Sequence, residues 1–194
     1  MTKRSHIQAR GEEFHLMVGT CITAWADVDE ALFQIFWRCV GPLKQCAIIY
    51  YKTPSMNARL TMTSEIVKSR LPLPKQENGG KPHPDVAAWS KAAAGFESLL
   101  SARRRIAHQP SAMRVPPHAA FVGHAFAGAI YASGDDEYFE IYTSLAEQLR
   151  GKEAERSPLK IADLEKHLAD VTALRDRLVR YLNGPLAPYL VPDP

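Results

Sequence analysis

A run of apolar residues early in the chain places the strongest constraint on its fold. Its members alternate spacings of four and three residues: Phe14, Val18, Cys21, Trp25, Val28, Leu32, Ile35 and Cys39. That alternation is typical of a long helix with a coiled-coil-like seam. The apolar surface extends beyond one seam, through Met17, Ile22, Phe33, Phe36 and Trp37. We therefore expect a helix that ends at Gly41-Pro42, packs against more than one neighbour and, through its surplus apolar surface, forms a homodimer.

The remaining segments favour further helices around one core. A short helix is expected over 43–51, a second one capped by Ser55 runs to about 71, and a third extends from its cap Asp85 to Pro110. Ser157-Pro158 is expected to begin a last helix that carries leucines to residue 182. Residues 72–84 have loop composition, whereas 113–142 combine glycines with loose alternation and predict a β-hairpin or flap. The 194 residues thus predict one mainly α domain, a bundle of four to five helices with a small inserted β-hairpin.

Composition narrows the class of protein. The net charge of +3 permits RNA as a partner but is too small to indicate one by itself. The three cysteines show no paired metal spacing, so we expect free thiols in a reducing compartment. The N-terminal residues lack the apolar stretch of a secretory signal, and the run 118–132 is too short to span a bilayer as a helix. We therefore expect a cytoplasmic protein that binds no membrane and needs no cofactor.

Arg103 interrupts the apolar stripe of the predicted helix 85–110. The stripe is formed by Trp89, Ala93, Phe96, Leu100 and Ala107. Arg103 lies about 20° from the centre of that stripe. A guanidinium there must be paired, solvated in a cleft or presented to a partner, because an unpaired charge among apolar groups is costly. An ion pair with Glu97 or with a carboxylate of the first helix would make Arg103 structural; otherwise it is a candidate site residue.

His108 follows Arg103 by five positions, at the predicted helix end. The segment 96–108, FESLLSARRRIAH, resembles the arginine–x4–6–histidine signature of the HEPN superfamily of helical ribonucleases and toxins. Arg10 and His15 have the same spacing but lie outside this context of a late helix and its C-terminus. The resemblance implies a HEPN-like helical fold and a metal-independent endoribonuclease or toxin-type RNA-binding protein. It also implies a homodimer in which two such motifs form one composite site.

The two residues have the chemistry that such a reaction requires. Attack by a 2′-hydroxyl on the phosphate of RNA needs proton transfer and positive charge on the phosphorane, and it needs no metal. His108 would transfer a proton and Arg103 would stabilise the phosphate, with Arg104 and Arg105 as RNA contacts. The sequence departs from the family at Arg104, where a small polar residue is usual. It also has Pro110 where some toxin members carry a modified tyrosine, so control by a nucleotidyltransferase partner is not supported.

Other interpretations remain open. The alternative function is a non-catalytic helical scaffold that uses its seam to dimerise or to hold a partner, and the arginine triplet can equally be a solvated helix end. His118 and His124, with Asp135 or Asp136, lack the spacing of a zinc site, so we expect no metal. Three acidic residues of the first helix, Asp27, Asp29 and Glu30, are interpreted as a solvated strip rather than catalytic carboxylates.

Overall fold

The computed structural model describes the backbone of residues 3–72, 83–108, 111–113, 120–125, 128–132, 139–141 and 159–191, and the side chains of residues 9, 11–72, 83–107 and 159–191. The helices are α1 Lys3–Val40, α2 Leu43–Lys52, α3 Met56–Arg70, α4 Pro84–Ala92, α5 Phe96–His108 and α6 Ile161–Asn183, followed by a 3-10 turn at Ala187–Tyr189. The strands are β1 Ser111–Met113, β2 Ala120–Ala125, β3 Gly128–Ala132 and β4 Phe139–Ile141. The prediction that the chain is mainly helical is confirmed.

The short strands form two antiparallel pairs. β1 pairs with β4, and β2 pairs with β3 with an irregularity between Phe121 and Gly123. The connecting residues and all side chains of this segment lie outside the described residues, as does most of the predicted loop 72–84. The hairpin or flap insertion at 113–142 therefore stays a prediction.

The first helix follows the seam predicted for it. Seven of its eight seam residues are buried and Val18 is half-buried. The helix begins earlier than expected, at Lys3, and ends where expected, because Gly41 adopts a positive φ of 126° and its N–H donates to the Trp37 carbonyl at 2.9 Å. The seam from Phe14 to Cys39 therefore identified the helix and its C-terminal end.

The surplus apolar surface of α1 is largely covered by its own chain. Phe33 and Phe36 are buried, and their rings lie 5.2 and 5.7 Å from the ring of Tyr50 in α2. Ile22 remains 38% exposed. The expectation that α1 packs against more than one neighbour is confirmed by these two phenylalanines, because α2 folds back over them. The homodimer itself stays a prediction.

Two helix starts can be compared with their predicted caps. The Ser55 hydroxyl accepts a hydrogen bond from the Ala58 N–H at 3.2 Å, which confirms the predicted start of α3. The last helix, α6, begins at Ile161, where the Asp163 carboxylate accepts from the Lys160 N–H at 2.9 Å. Its predicted cap at Ser157-Pro158 lies outside the described residues.

The predicted single helix from Asp85 to Pro110 is wrong. The structure divides it into α4 and α5 at Ala93–Gly95, and Gly95 adopts a positive φ of 83°. Glycine adopts this left-handed conformation at little cost, which is why it commonly follows a helix end. The cap also differs, since His83 precedes α4 and its Nδ1 accepts from the Asp85 N–H at 3.3 Å.

The chain forms two compact units. The first comprises residues 1–23 and 99–169, and its described core consists of Phe14, Cys21, Ile106 and Leu164. The Cys21 thiol donates to the Leu164 carbonyl at 3.3 Å, which joins α1 to α6 within this unit. This unit carries the part of α5 that includes Arg103.

The second unit comprises residues 24–98 and 170–194. Its described core combines the later part of α1 with α2, α3, α4, the start of α5 and α6, and Trp25 packs edge-to-face against Phe96 at 5.5 Å. The segment after α6 is fastened at two points, since Tyr189 Oη donates to the Asp85 carboxylate at 3.1 Å and the Val191 N–H donates to the Arg38 carbonyl at 2.9 Å. These bonds hold the last described residues against α4 and α1.

Candidate functional site

The position of Arg103 is set by the helix that begins after the Gly95 break. The exposed carbonyl of Ala94 accepts a hydrogen bond from Arg177 of α6 at 2.8 Å, which satisfies one of the main-chain groups freed by the break. From Phe96 onward α5 is continuous, and it buries Phe96, Leu100 and Ile106. At about 100° per residue, Arg103 lies between Leu100 and Ile106 on this buried side.

Arg103 is half-buried, in agreement with its place on the apolar stripe. Its Nε is buried and has no hydrogen-bond partner among the described residues. Within the same part of the chain no carboxylate lies within ion-pair distance of its guanidinium, and Glu97 is exposed. A buried N–H left without a partner costs about 1–3 kcal/mol. The described residues thus do not supply the structural ion pair that was our alternative explanation.

The arginine triplet does not form one surface. Successive residues of a helix differ in direction by about 100°, so Arg103, Arg104 and Arg105 leave α5 on three sides. Arg104 is exposed, whereas Arg105 is half-buried. Only Arg104 therefore shows the exposure expected of a simple phosphate contact, and the role of both in RNA binding stays a prediction.

His108 is the last residue of α5, as predicted for the motif, and its side chain lies outside the described residues. Five residues of regular helix separate its Cα from that of Arg103 by about 7.5 Å along the axis and about 140° around it. The two residues therefore share the end of one helix but not one of its faces.

The sequence reasoning missed a polar cluster centred on Asp29. Asp29 is half-buried, and its carboxylate forms an ion pair with the Arg59 guanidinium. The exposed fraction of the side chain is 21% for Asp29 and 17% for Arg59. Tyr50 Oη donates to the same carboxylate at 2.9 Å and to the Asp29 carbonyl at 3.1 Å. Asp27 and Glu30 are exposed, so the interpretation of all three acidic residues as a solvated strip was wrong for Asp29.

Aromatic rings complete this cluster, which we call the Asp29 cluster. The Arg59 guanidinium lies over the rings of Tyr50 and Tyr51 at 5.2 and 5.5 Å, and its Nε donates to the Thr53 carbonyl at 3.2 Å. Burial raises the pKa of the Tyr50 hydroxyl well above its ordinary value, and the Asp29 carboxylate raises it further. Tyr50 therefore stays protonated and donates, and the cluster joins α1, α2 and α3 rather than transferring protons.

The cysteines are free, as predicted, and all three are buried. Burial raises the pKa of all three thiols, and that of Cys39 rises to about 11 despite an opposing effect of Arg70. Thiols with such pKa values are poor nucleophiles at neutral pH. None of the three is a candidate for covalent catalysis.

The described part of the chain contains neither a cluster of metal ligands nor a membrane-spanning helix. No group of three or more His, Cys, Asp or Glu side chains there is arranged to hold a metal ion. The side chains of His118, His124, Asp135 and Asp136 lie outside that part. No described helix is both long enough and apolar enough to cross a membrane.

Comparisons with known proteins do not assign the chain to a family. No family model matches its sequence, and neither the curated proteins nor the solved structures contain a match. A function for this chain must therefore be inferred from the residues of α5 and their surroundings.

Proposed function

We propose that this chain is a HEPN-like RNA-binding protein of the cytoplasm that cleaves RNA without a metal ion, with Arg103 and His108 as its catalytic residues. The observation that carries the proposal is the environment of Arg103. An arginine occupies a position on the buried side of α5, its Nε is buried, and the described residues provide neither an ion pair nor a hydrogen bond for that atom. A phosphate would supply the missing partner.

The chemistry follows from the two side chains. The 2′-oxygen of a ribose attacks the adjacent phosphorus while its proton passes to a base, and the bond from phosphorus to the 5′-oxygen breaks as that oxygen gains a proton. His108 is suited to transfer these protons, and Arg103 to neutralise the charge that develops on the phosphorane. The products are a cyclic 2′,3′-phosphate and a 5′-hydroxyl, and no oxidant or metal takes part.

A homodimer would explain the spacing of the pair. Because the Cα atoms of Arg103 and His108 are turned from each other by about 140° around α5, one helix does not present both to a single phosphate along one face. Two copies of the helix end, brought together, would offer an arginine from one copy and a histidine from the other. Arg104, which is exposed, would contact the RNA backbone beside this site.

The test compares RNA cleavage in the presence of EDTA for the wild type and three variants. His108→Ala and Arg103→Met should each abolish cleavage. Arg103→Met retains the length of the side chain and removes a charge that has no ion-pair partner among the described residues, so we expect its melting temperature to be unchanged or higher. Arg180→Met is the matched control, because Arg180 is an exposed arginine of α6, and it should change neither property.

The alternative, a non-catalytic helical scaffold, makes opposite predictions. In this alternative Arg103 forms a structural ion pair, so Arg103→Met would melt several degrees below the wild type and the Arg180→Met control. If the wild type also cleaves no RNA in EDTA, the scaffold should replace the nuclease. Sedimentation of the wild type as a monomer at micromolar concentration would remove the basis for a composite site.

A further inference from the structure

The helix α2 exposes more large apolar side chains than its length accounts for. Seven such side chains are exposed in the described part of the chain, and four of them lie within these ten residues. Leu43, Ile48, Ile49 and Tyr51 are each 49 to 51% exposed. Single exposed apolar residues are common, whereas a group of them on one short element indicates an interaction site.

Helix geometry places three of these side chains on the side of α2 that faces solvent. At about 100° per residue, Ile48 lies almost opposite the fully buried Tyr50. Lys44 lies about one helical turn before Ile48 and Lys52 about one turn after it, so the three side chains form a row along the helix. Tyr51 lies on one side of this row and Ile49 on the other. We call these five residues the α2 face.

Contacts on the buried side of α2 hold the α2 face in a fixed position. Cys46 and Tyr50 are fully buried, and Tyr50 Oη is anchored to Asp29 in α1. The helix end is closed by the Thr53 N–H, which donates to the carbonyls of Ile49 and Tyr50 at 3.2 and 3.1 Å. A preformed surface of this kind loses little conformational entropy on binding.

The positive charges of the α2 face come from two lysines that form no ion pair within the described chain. Lys44 and Lys52 are exposed, and neither forms an ion pair with a described carboxylate. Of the two α1 carboxylates that contact α2, only Asp29 has a described cationic partner, whereas the charge of Glu30 borders Tyr51. Asp29 is paired with Arg59, and Glu30 accepts from Tyr51 Oη at 3.3 Å and from Gln34 Nε2 at 2.6 Å.

The symmetry of the charges disfavours a second copy of this chain as the occupant. Lys44 and Lys52 stand four residues before and four residues after Ile48. In an antiparallel pairing centred on Ile48, each lysine would lie opposite a lysine of the other copy, and a parallel pairing would do the same. Like charges at an interface weaken association, so the complementary occupant carries acidic groups.

We propose that the α2 face docks an acidic amphipathic helix of another protein. The lysines are separated by about 12 Å along α2, which corresponds to eight residues of helix. The partner therefore presents carboxylates about eight positions apart, with apolar side chains between them to cover Ile48, Ile49 and Tyr51. This inference is independent of the proposed nuclease activity, because the α2 face includes none of the residues assigned to that activity.

The test uses a synthetic helical peptide of roughly 18 residues that carries leucines on one face and two glutamates eight positions apart. Fluorescence anisotropy should detect its binding to the wild type. A twin peptide with lysines at the two glutamate positions should bind at least tenfold more weakly. Ile48→Asp should reduce binding of the glutamate peptide at least tenfold, and Val179→Asp, which alters an exposed apolar residue of α6, should leave it unchanged.

Reversing the charges of the two lysines gives the decisive comparison. The double variant Lys44→Glu and Lys52→Glu should no longer bind the glutamate peptide and should bind the lysine peptide instead. Failure of the wild type to bind the glutamate peptide would overturn the proposal, as would an unaltered preference in the double variant. Two other results would assign the face to a different occupant and also overturn it: a dimer of the wild type that Ile48→Asp dissociates in sedimentation, or binding to phosphatidylserine vesicles that Ile48→Asp abolishes.

Discussion

Asp29→Ala is the substitution that tests the Asp29 cluster most directly. It removes the ion pair with Arg59, a charge-assisted bond between side chains that are about four-fifths buried and that contributes about 1.5–3 kcal/mol. Tyr50 Oη loses its carboxylate acceptor but keeps the Asp29 carbonyl at 3.1 Å, so its additional loss is about 1 kcal/mol or less. Alanine has a higher helix propensity than aspartate, which stabilises the variant by about 0.5 kcal/mol. The expected net destabilisation is about 1–3.5 kcal/mol.

The assay is urea denaturation followed by tryptophan fluorescence, with Asp27→Ala as the matched control. Asp27 lies two residues away on α1, receives the same gain in helix propensity, and is 57% exposed with Arg175 only at 3.9 Å. Its substitution should change the free energy of unfolding by no more than about 0.5 kcal/mol. In an Arg59→Met background, the loss in free energy of unfolding caused by Asp29→Ala should be smaller than in the wild type by at least about 1 kcal/mol. Equal losses for Asp29→Ala and Asp27→Ala would refute the description of Asp29 as the centre of a stabilising cluster.

Two further predictions concern the buried thiols and the glycines. The folded state retains the Cys39 proton, with a pKa of about 11, after the unfolded state has lost it. The free energy of unfolding should therefore fall as the pH rises from about 9 to about 11, by up to about 1.4 kcal/mol per pH unit, and Cys39→Ala should flatten this slope in urea titrations. A slope identical in both proteins would contradict the assignment. Gly95→Ala should destabilise the protein by about 1–2 kcal/mol, because Gly95 adopts a positive φ. Gly19→Ala should stabilise it by about 0.5–1 kcal/mol, because Gly19 is an exposed residue of α1 with open space around it. Thermal unfolding measures both effects.

Local patterns were sufficient to predict most helices. The four-three spacing from Phe14 to Cys39 identified α1 because a helix that buries one side needs apolar residues on that side at every turn. Ser55 identified the start of α3 because its side chain completes a bond pattern that depends only on the next three residues. In both cases the signal that predicts the element can be read from neighbouring positions of the chain, even though the α1 seam is buried against distant residues.

Contacts between distant residues were beyond the same reasoning. Asp29 and Arg59 are thirty positions apart, and neither residue carries a local sign of the other, so Asp29 resembled its exposed neighbours. The break at Gly95 had a visible signal, a glycine within an apolar repeat, but the repeat on both sides was strong enough to suggest one continuous helix. For Arg103 the sequence predicted the burial correctly, while the function of the pair with His108 depends on groups that no local pattern specifies.

The division of the chain into two units has a consequence for spectroscopy. All three tryptophans, Trp25, Trp37 and Trp89, belong to the second unit, and Trp25 and Trp89 are almost fully buried there. Their emission therefore reports the unfolding of that unit alone, whereas circular dichroism at 222 nm records helices of both. Superimposable denaturation curves from the two signals would mean that the units unfold together, and separated curves would resolve the stability of each without a single added label.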